Sequence, residues 1–132
     1  MSQVYYKIAR KAASRLAESA EYHELPNLVD EELANGFLSE SRDMYSTPEV
    51  LMMAAGLLLS TVQAAWQIYQ YLKQRQIEPK KKLMEQEISG EMEQRAPEVP
   101  REELTQIIHV VVETTIYIGK AQEKVESNRE AS

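Results

Sequence analysis

The stretch Val50–Leu72, VLMMAAGLLLSTVQAAWQIYQYL, contains no charged residue, although 27% of the chain is charged. It follows Thr47-Pro48-Glu49, a typical helix start. The threonine can cap a free amide, the proline needs no donor in the first turn, and the carboxylate lies at the positive end of the helix dipole. The next proline is Pro79. We therefore expect a long helix at about 48–76, with the rest of the chain packed around it.

Polar residues recur along one side of this helix. Ser60, Gln63, Gln67, Gln70 and Gln74 follow one another at steps of three or four residues, which places them on one helical face. The remaining positions are mostly apolar and predict a buried side. Polar and aromatic side chains at such a boundary are candidates for an interface. The candidates on this helix are Ser60, Gln63, Trp66, Gln67, Gln70 and Tyr71.

Two interpretations of Val50–Leu72 compete. A membrane-spanning helix needs about 20 mostly apolar residues, and the glutamines interrupt the second half of this stretch. We therefore favour the central helix of a bundle. The alternative is a membrane-inserted helix whose small and polar side faces other helices, with the basic residues that follow it on the cytoplasmic side. This basic cluster consists of Lys73, Arg75, Lys80, Lys81 and Lys82. It suits anionic headgroups or phosphate, or simply complements the end of the helix.

The composition restricts the broad class. At 132 residues and 15.2 kDa, the chain has the size of one domain with its own core. It contains no cysteine, which excludes disulfides and thiolate metal sites and fits a cytoplasmic protein. A net charge of −6 with only short basic blocks makes nucleic-acid binding an unfavoured function.

The remaining elements are also expected to be helices. An amphipathic helix is predicted at about 3–21, and a short one at about 27–37, capped by Asn27. A short charged helix at about 80–95 precedes a proline-containing linker at about 96–100. The last helix is expected at about 101–127, followed by a frayed terminus at about 127–132.

The last element allows two interpretations, because the segment 107–118 is rich in β-branched residues that suit strands. A helix-start composition at 100–103 and the absence of a turn residue between the apolar clusters favour helix. An apolar seam at heptad-like spacing also favours helix. It comprises Leu104, Ile108, Val111, Thr115, Ile118, Gln122 and Val125. Ile108, Val111 and Ile118 are further interface candidates. The predicted fold is an all-α bundle of about five helices, three long and two short, in which the third and last form the core pair.

We find no motif that carries chemistry. His23 and His109 are the two histidines, and neither has metal-ligand spacing. The four glycines are scattered, so they form no phosphate-binding loop, and no nucleophile motif occurs. We therefore expect no catalytic residues, no metal and no cofactor.

A binding or assembly role is the function we expect. We expect the apolar sides of the third and last helices to be larger than three thinner helices can cover, and a protein partner would bury the surplus. The expected partner is a second copy, giving a homo-oligomer, or a helix of another protein. The alternative is a membrane-associated protein with Val50–Leu72 in contact with lipid.

Overall fold

The computed structural model describes residues 3–18, 22–35, 49–95 and 99–131. In this part of the chain, five helices pack together and no strand occurs, so the fold is the predicted all-α bundle. The helices are α1 (Gln3–Leu16), α2 (Leu25–Asn35), α3 (Glu49–Gln74), α4 (Lys81–Arg95) and α5 (Arg101–Ala131). The ambiguous segment 107–118 is helical throughout, as the seam at heptad-like spacing indicated.

The long helix α3 is central, because it packs against each of the other four helices. The predicted pairing of α3 with α5 is confirmed, and α5 also packs against α1 and α4. Tyr5 on α1 donates a hydrogen bond of 3.1 Å to the backbone carbonyl of Leu59 on α3. The helices bury one continuous hydrophobic core.

The helix α1 buries the face that its sequence predicts. Its core positions are Tyr5, Ile8, Ala9, Ala12, Ala13 and Leu16. Three of these are alanines, which let the neighbouring helices approach closely. The helix ends at Leu16 rather than at about residue 21. The reason is a tighter last turn, in which the Glu18 amide donates to the carbonyl of Arg15, three residues earlier. Residues 19–21 lie outside the described part.

The helix α2 begins at Leu25, two residues before its predicted start, and is described to Asn35. Its predicted end at about residue 37 lies outside the described residues. Pro26 lies inside its first turn, where a residue without a backbone N–H costs no hydrogen bond. The expected cap at Asn27 is wrong, because the carbonyl of Glu24 accepts the amide of Leu28 and Asn27 lies within the helix. The Asn27 side chain instead donates to the Glu24 carboxylate at 3.2 Å.

The end of α3 is set by a local motif that the sequence analysis did not predict. Gln76 adopts a left-handed conformation with φ of 58°. Its amide donates to the carbonyl of Lys73, and the amide of Ile77 donates to the carbonyl of Leu72. These two bonds form a Schellman motif, which satisfies the last carbonyls of the helix. The helix therefore stops at Gln74 rather than at about residue 76. Its predicted cap, Thr47-Pro48, lies outside the described residues, as does the Ala96-Pro97-Glu98 part of the linker.

The last two helices differ from the prediction by a few residues. The Lys80 carbonyl accepts the amide of Met84, so Lys80 caps α4, which begins at Lys81. The helix α4 buries only Met84, Ile88 and Met92, one residue per turn. The helix α5 continues to Ala131, beyond the predicted end at about residue 127, because no glycine or proline follows Gly119 to interrupt it.

Candidate interaction surface on the third helix

The side of α3 that faces away from the core carries polar residues without charge. We call this surface the glutamine face, and it consists of Met53, Gly56, Ser60, Gln63, Gln67 and Gln70. All six are exposed or half-buried. Their spacing puts them on one side of the helix, so the face extends over about five turns. The sequence-based prediction that these glutamines share an outward side is confirmed.

The opposite side of α3 packs against the other four helices and is buried in the core of the chain. Its buried residues include Ala54, Ala55, Leu58, Leu59, Val62 and Ala65. The expected surplus of apolar surface is therefore not found among the described residues. Large apolar side chains that remain exposed are dispersed over α3, α4, α5 and the turn after α3. They are Met53, Tyr71, Ile77, Leu83, Tyr117 and Val125. The other four helices together cover the apolar side of α3.

Aromatic residues lie along both edges of the glutamine face, because Trp66 and Tyr71 are five residues apart and so about 140° apart around the helix. The ring of Trp66, which is half-buried, stacks on Tyr69 with centroids 5.4 Å apart and planes 11° apart. Tyr71 is 52% exposed, and the guanidinium of Arg75 lies 4.9 Å from its ring centroid. Both predicted aromatic candidates, Trp66 and Tyr71, are therefore accessible beside the glutamines. Aromatic side chains with this partial exposure are common at protein interfaces.

Tyr69 joins the edge that carries Trp66 to the helix α5. Its hydroxyl donates a hydrogen bond of 2.9 Å to the carboxylate of Glu123. Burial of the ring, followed by this hydrogen bond, raises the pKa of Tyr69 above its ordinary value. Lys73 lies 3.3 Å from the other oxygen of Glu123. A depression of about 410 Å³ lies above these groups and is lined in part by Trp66 and Gln70.

The three interface candidates on α5 lie elsewhere. Ile108 and Val111 are buried in the core of this chain, so they form no part of its surface. Ile118 is half-buried and packs against the same core. From Leu104 to Thr115, the seam that identified them is the side of α5 that is buried against the rest of the bundle. The structure therefore brings together the candidates on α3 and separates them from those on α5.

The five residues of the basic cluster do not form one patch of free cations. Lys73 pairs with Glu123, and Arg75 lies over Tyr71. Lys81 donates to the carboxylate of Glu113 at 2.8 Å. Lys80 and Lys82 are exposed on either side of it. The paired cations of this cluster therefore contact different partners.

A charged network that the sequence did not reveal surrounds Glu113. Arg15 of α1 donates to one oxygen of this carboxylate at 2.8 Å, and Lys81 of α4 donates to the other at 2.8 Å. Both hydrogen bonds lower the pKa of Glu113, which falls to about 2. The hydrogen bond from Lys81 has the larger effect and that from Arg15 the smaller. The only signal in the sequence is the four-residue spacing of His109 and Glu113. Arg15 is too distant in sequence to be connected with them.

His109 is part of this network. Its Nδ1 lies 2.9 Å from the Glu85 carboxylate, which can only accept, so Nδ1 carries a proton. Its Nε2 lies 3.4 Å from Nζ of Lys81 and 3.3 Å from Glu113. Both ring nitrogens of His109, on α5, therefore lie beside side chains of α4, and these contacts join the two helices. An open groove of about 1170 Å³ between these helices is lined by Glu85, His109 and residues of both charges.

Neither histidine belongs to a metal site in the described part of the chain. His23 is exposed, and no group of three or more histidine, aspartate or glutamate side chains there could hold a metal ion. Among the described helices, none is both long enough and apolar enough to cross a membrane. Val50–Leu72 lies within α3, so this finding includes the stretch considered above as a spanning helix.

Comparisons of the chain with protein-family models, with curated proteins and with solved structures found no match.

Proposed function

We propose that this chain is a non-enzymatic protein–protein interaction module that binds a helix of its partner along the glutamine face. The observation that carries the proposal is the absence of charge on that face. The whole chain has 15 basic and 21 acidic residues, yet this outward surface of about five turns has none. An ordinary solvated helix surface carries charged residues on its polar side.

The residue types of the glutamine face suit an interface. Interface centres are depleted in lysine and glutamate and enriched in methionine and aromatic residues. Met53 is exposed at one end of the face, and Trp66 and Tyr71 lie beside its other half. Each glutamine amide can both donate and accept, so a partner can satisfy it without burying a charge. The surface can therefore be desolvated at lower cost than a charged one.

The same geometry supports the non-enzymatic part of the proposal. His109 lines the open groove between α4 and α5, but both of its ring nitrogens already have charged neighbours. This arrangement ties α4 to α5 and presents no free general base. Membrane contact is not proposed as a second function, because Lys73, Arg75 and Lys81 of the basic cluster each have a partner within the chain.

The test compares two variants that add the same charge to different surfaces. Gln67→Lys places a cation at the glutamine face, and Gln86→Lys places one on the exposed surface of α4. The native mass of each variant, after subtraction of any tag, is compared with the 15.2 kDa of a single chain. It is measured by size exclusion with light scattering for the purified protein, and from the elution position of the tagged protein for an extract of its source cells. We expect the unmodified chain to run above 15.2 kDa in at least one of these samples.

In that sample Gln67→Lys is expected to reduce the mass to 15.2 kDa, while Gln86→Lys leaves it unchanged. Circular dichroism shows whether both variants remain folded. A chain that runs at 15.2 kDa in both samples would overturn the proposal. So would an assembly that the folded Gln67→Lys variant leaves intact.

A further inference from the structure

We infer that the helix bound by the glutamine face is α3 of a second copy of this chain, running antiparallel to the first. In this pairing, Gly56 of each copy lies opposite Gln67 of the other, Ser60 lies opposite Gln63, and Met53 lies opposite Gln70. The inference rests on the proposed function and specifies its partner.

The spacing of the face is symmetric. From Met53 to Gln70 the successive steps are three, four, three, four and three residues, so the order is the same in both directions. A two-fold axis between Ser60 and Gln63 therefore superimposes the outward positions of one helix on those of the other. An interface with two-fold symmetry requires the same surface on both copies, and this face meets that requirement. Alternating steps of three and four are also the spacing at which two helices remain in contact over several turns.

The sizes of the side chains select the antiparallel direction. The small residues, Gly56 and Ser60, are in the first half of the face, and the long residues, Gln63, Gln67 and Gln70, are in the second half. In an antiparallel pair, each small residue faces a glutamine. In a parallel pair, glycine would face glycine while glutamine crowds glutamine. The antiparallel pair therefore gives an even separation of helix axes at the four central positions, at the distance of about 8–10 Å that is usual for packed helices.

The structure leaves room for this approach at Gly56. Among the described residues, a Cβ added there would have no atom within 4 Å apart from its own helix and adjacent residues. The described part of the chain therefore leaves the space above this glycine to the Gln67 side chain of a second copy. By contrast, the corresponding space at Gly119 is filled by Tyr69 of the same chain.

The absence of charge on the glutamine face favours it as a surface for self-association. Each copy carries a net charge of −6. A face with acidic residues would meet the same charges on the second copy and be repelled. The glutamine face avoids this repulsion, and its amides can pair with identical amides because each contains a donor and an acceptor.

The test uses the absence of cysteine from the chain, which makes every introduced thiol unique. Gly56→Cys and Gln67→Cys proteins, distinguishable by a tag on one of them, are mixed at micromolar concentration and oxidised with diamide. The expected product is predominantly the mixed disulfide dimer. The same result is expected when Ser60→Cys is mixed with Gln63→Cys. Gln86→Cys serves as the control on α4 and should form few dimers with any of them.

The outcomes separate this inference from the proposed function. Predominantly like-with-like dimers from both mixtures would overturn the antiparallel pairing. Absence of cross-links above the control, with a purified chain of 15.2 kDa, would overturn self-association. The proposed function would survive that second result if a larger assembly in extract still depended on Gln67. For the inferred dimer, Gln67→Lys should raise the dissociation constant on the order of 100-fold, because it buries unpaired charges.

Discussion

At Gly119 the backbone of α5 lies directly against the ring of Tyr69 on α3. A Cβ at this position would be 2.5 Å from Cζ of Tyr69. The tyrosine cannot move away freely, because it is 2% exposed, stacked on Trp66 and hydrogen-bonded to Glu123. Glycine is therefore required here by the closeness of two helices and not by its backbone conformation.

We predict that Gly119→Ala lowers the free energy of unfolding by about 1–3 kcal/mol, the usual cost of overpacking a core contact. The added methyl group must displace the ring or separate α3 from α5. Urea unfolding followed by circular dichroism measures the effect. The fluorescence of Trp66, the single tryptophan of the chain, should also change in the native state, because its stacking partner Tyr69 is displaced.

Gly90→Ala on α4 is the matched control. A Cβ there has no atom of the described residues within 4 Å outside its own helix and chain neighbours. Since alanine is the better helix former, this variant should raise the free energy of unfolding by about 0.5–1 kcal/mol. Opposite signs for the two variants are the expected result. Stabilisation by Gly119→Ala would show that the ring of Tyr69 gives way without cost.

At the scale of the elements, Glu113 connects three helices. Arg15 comes from α1, Lys81 from α4 and the carboxylate itself from α5. The pKa of Glu113 is lowered to about 2 from an ordinary value of 4.5, so the folded state favours the ionised form. A lowered pKa in the folded state adds stability above the ordinary pKa and loses it as the pH falls towards the folded value. The stabilisation that ionised Glu113 provides is therefore lost as the pH falls from about 4.5 to about 2.

We predict that Glu113→Gln lowers the free energy of unfolding at pH 7 by about 1 kcal/mol, since partial exposure of the pairs screens them. The difference between this variant and the unmodified protein should narrow as the pH falls from 4.5 towards 2, where the carboxylate itself becomes protonated. Urea unfolding at about pH 7 and about pH 3 checks this. Glu87→Gln, at an exposed position of α4, is the control and should change little at either pH. A constant difference for Glu113→Gln at both pH values would contradict the prediction.

The local sequence was sufficient to predict the outward side of α3 but insufficient to predict some helix boundaries. The spacing of Ser60, Gln63 and Gln67 correctly predicted which side of α3 faces outward, because that side depends only on helical period. The stop of α3 at Gln74 was missed, because it requires a left-handed glutamine that the sequence does not specify. Pro26 was expected to precede α2 and instead lies in its first turn, which local rules allow equally well.

At the scale of the whole molecule, the inferred dimer has a characteristic salt dependence. Its interface contains no ion pair, while the two copies repel each other through net charges of −6. Salt screens this repulsion without weakening the contact. We predict that raising NaCl from about 0.05 M to about 0.5 M leaves the dissociation constant unchanged or lowers it severalfold. Sedimentation equilibrium at both concentrations measures it, and a dissociation constant that rises with salt would contradict an uncharged interface.

The sequence by itself determined the helical class, the central position of α3 and the outward side of its glutamines. These properties follow from composition and from a period of 3.6 residues, both of which are local. Only the tertiary structure decided that Ile108 and Val111 belong to the core, and that the apolar side of α3 is covered within the chain. It also decided that Arg15, Lys81 and His109 converge on Glu113. Such contacts depend on how helices cross, and helical spacing within one segment carries no information about the residues of another.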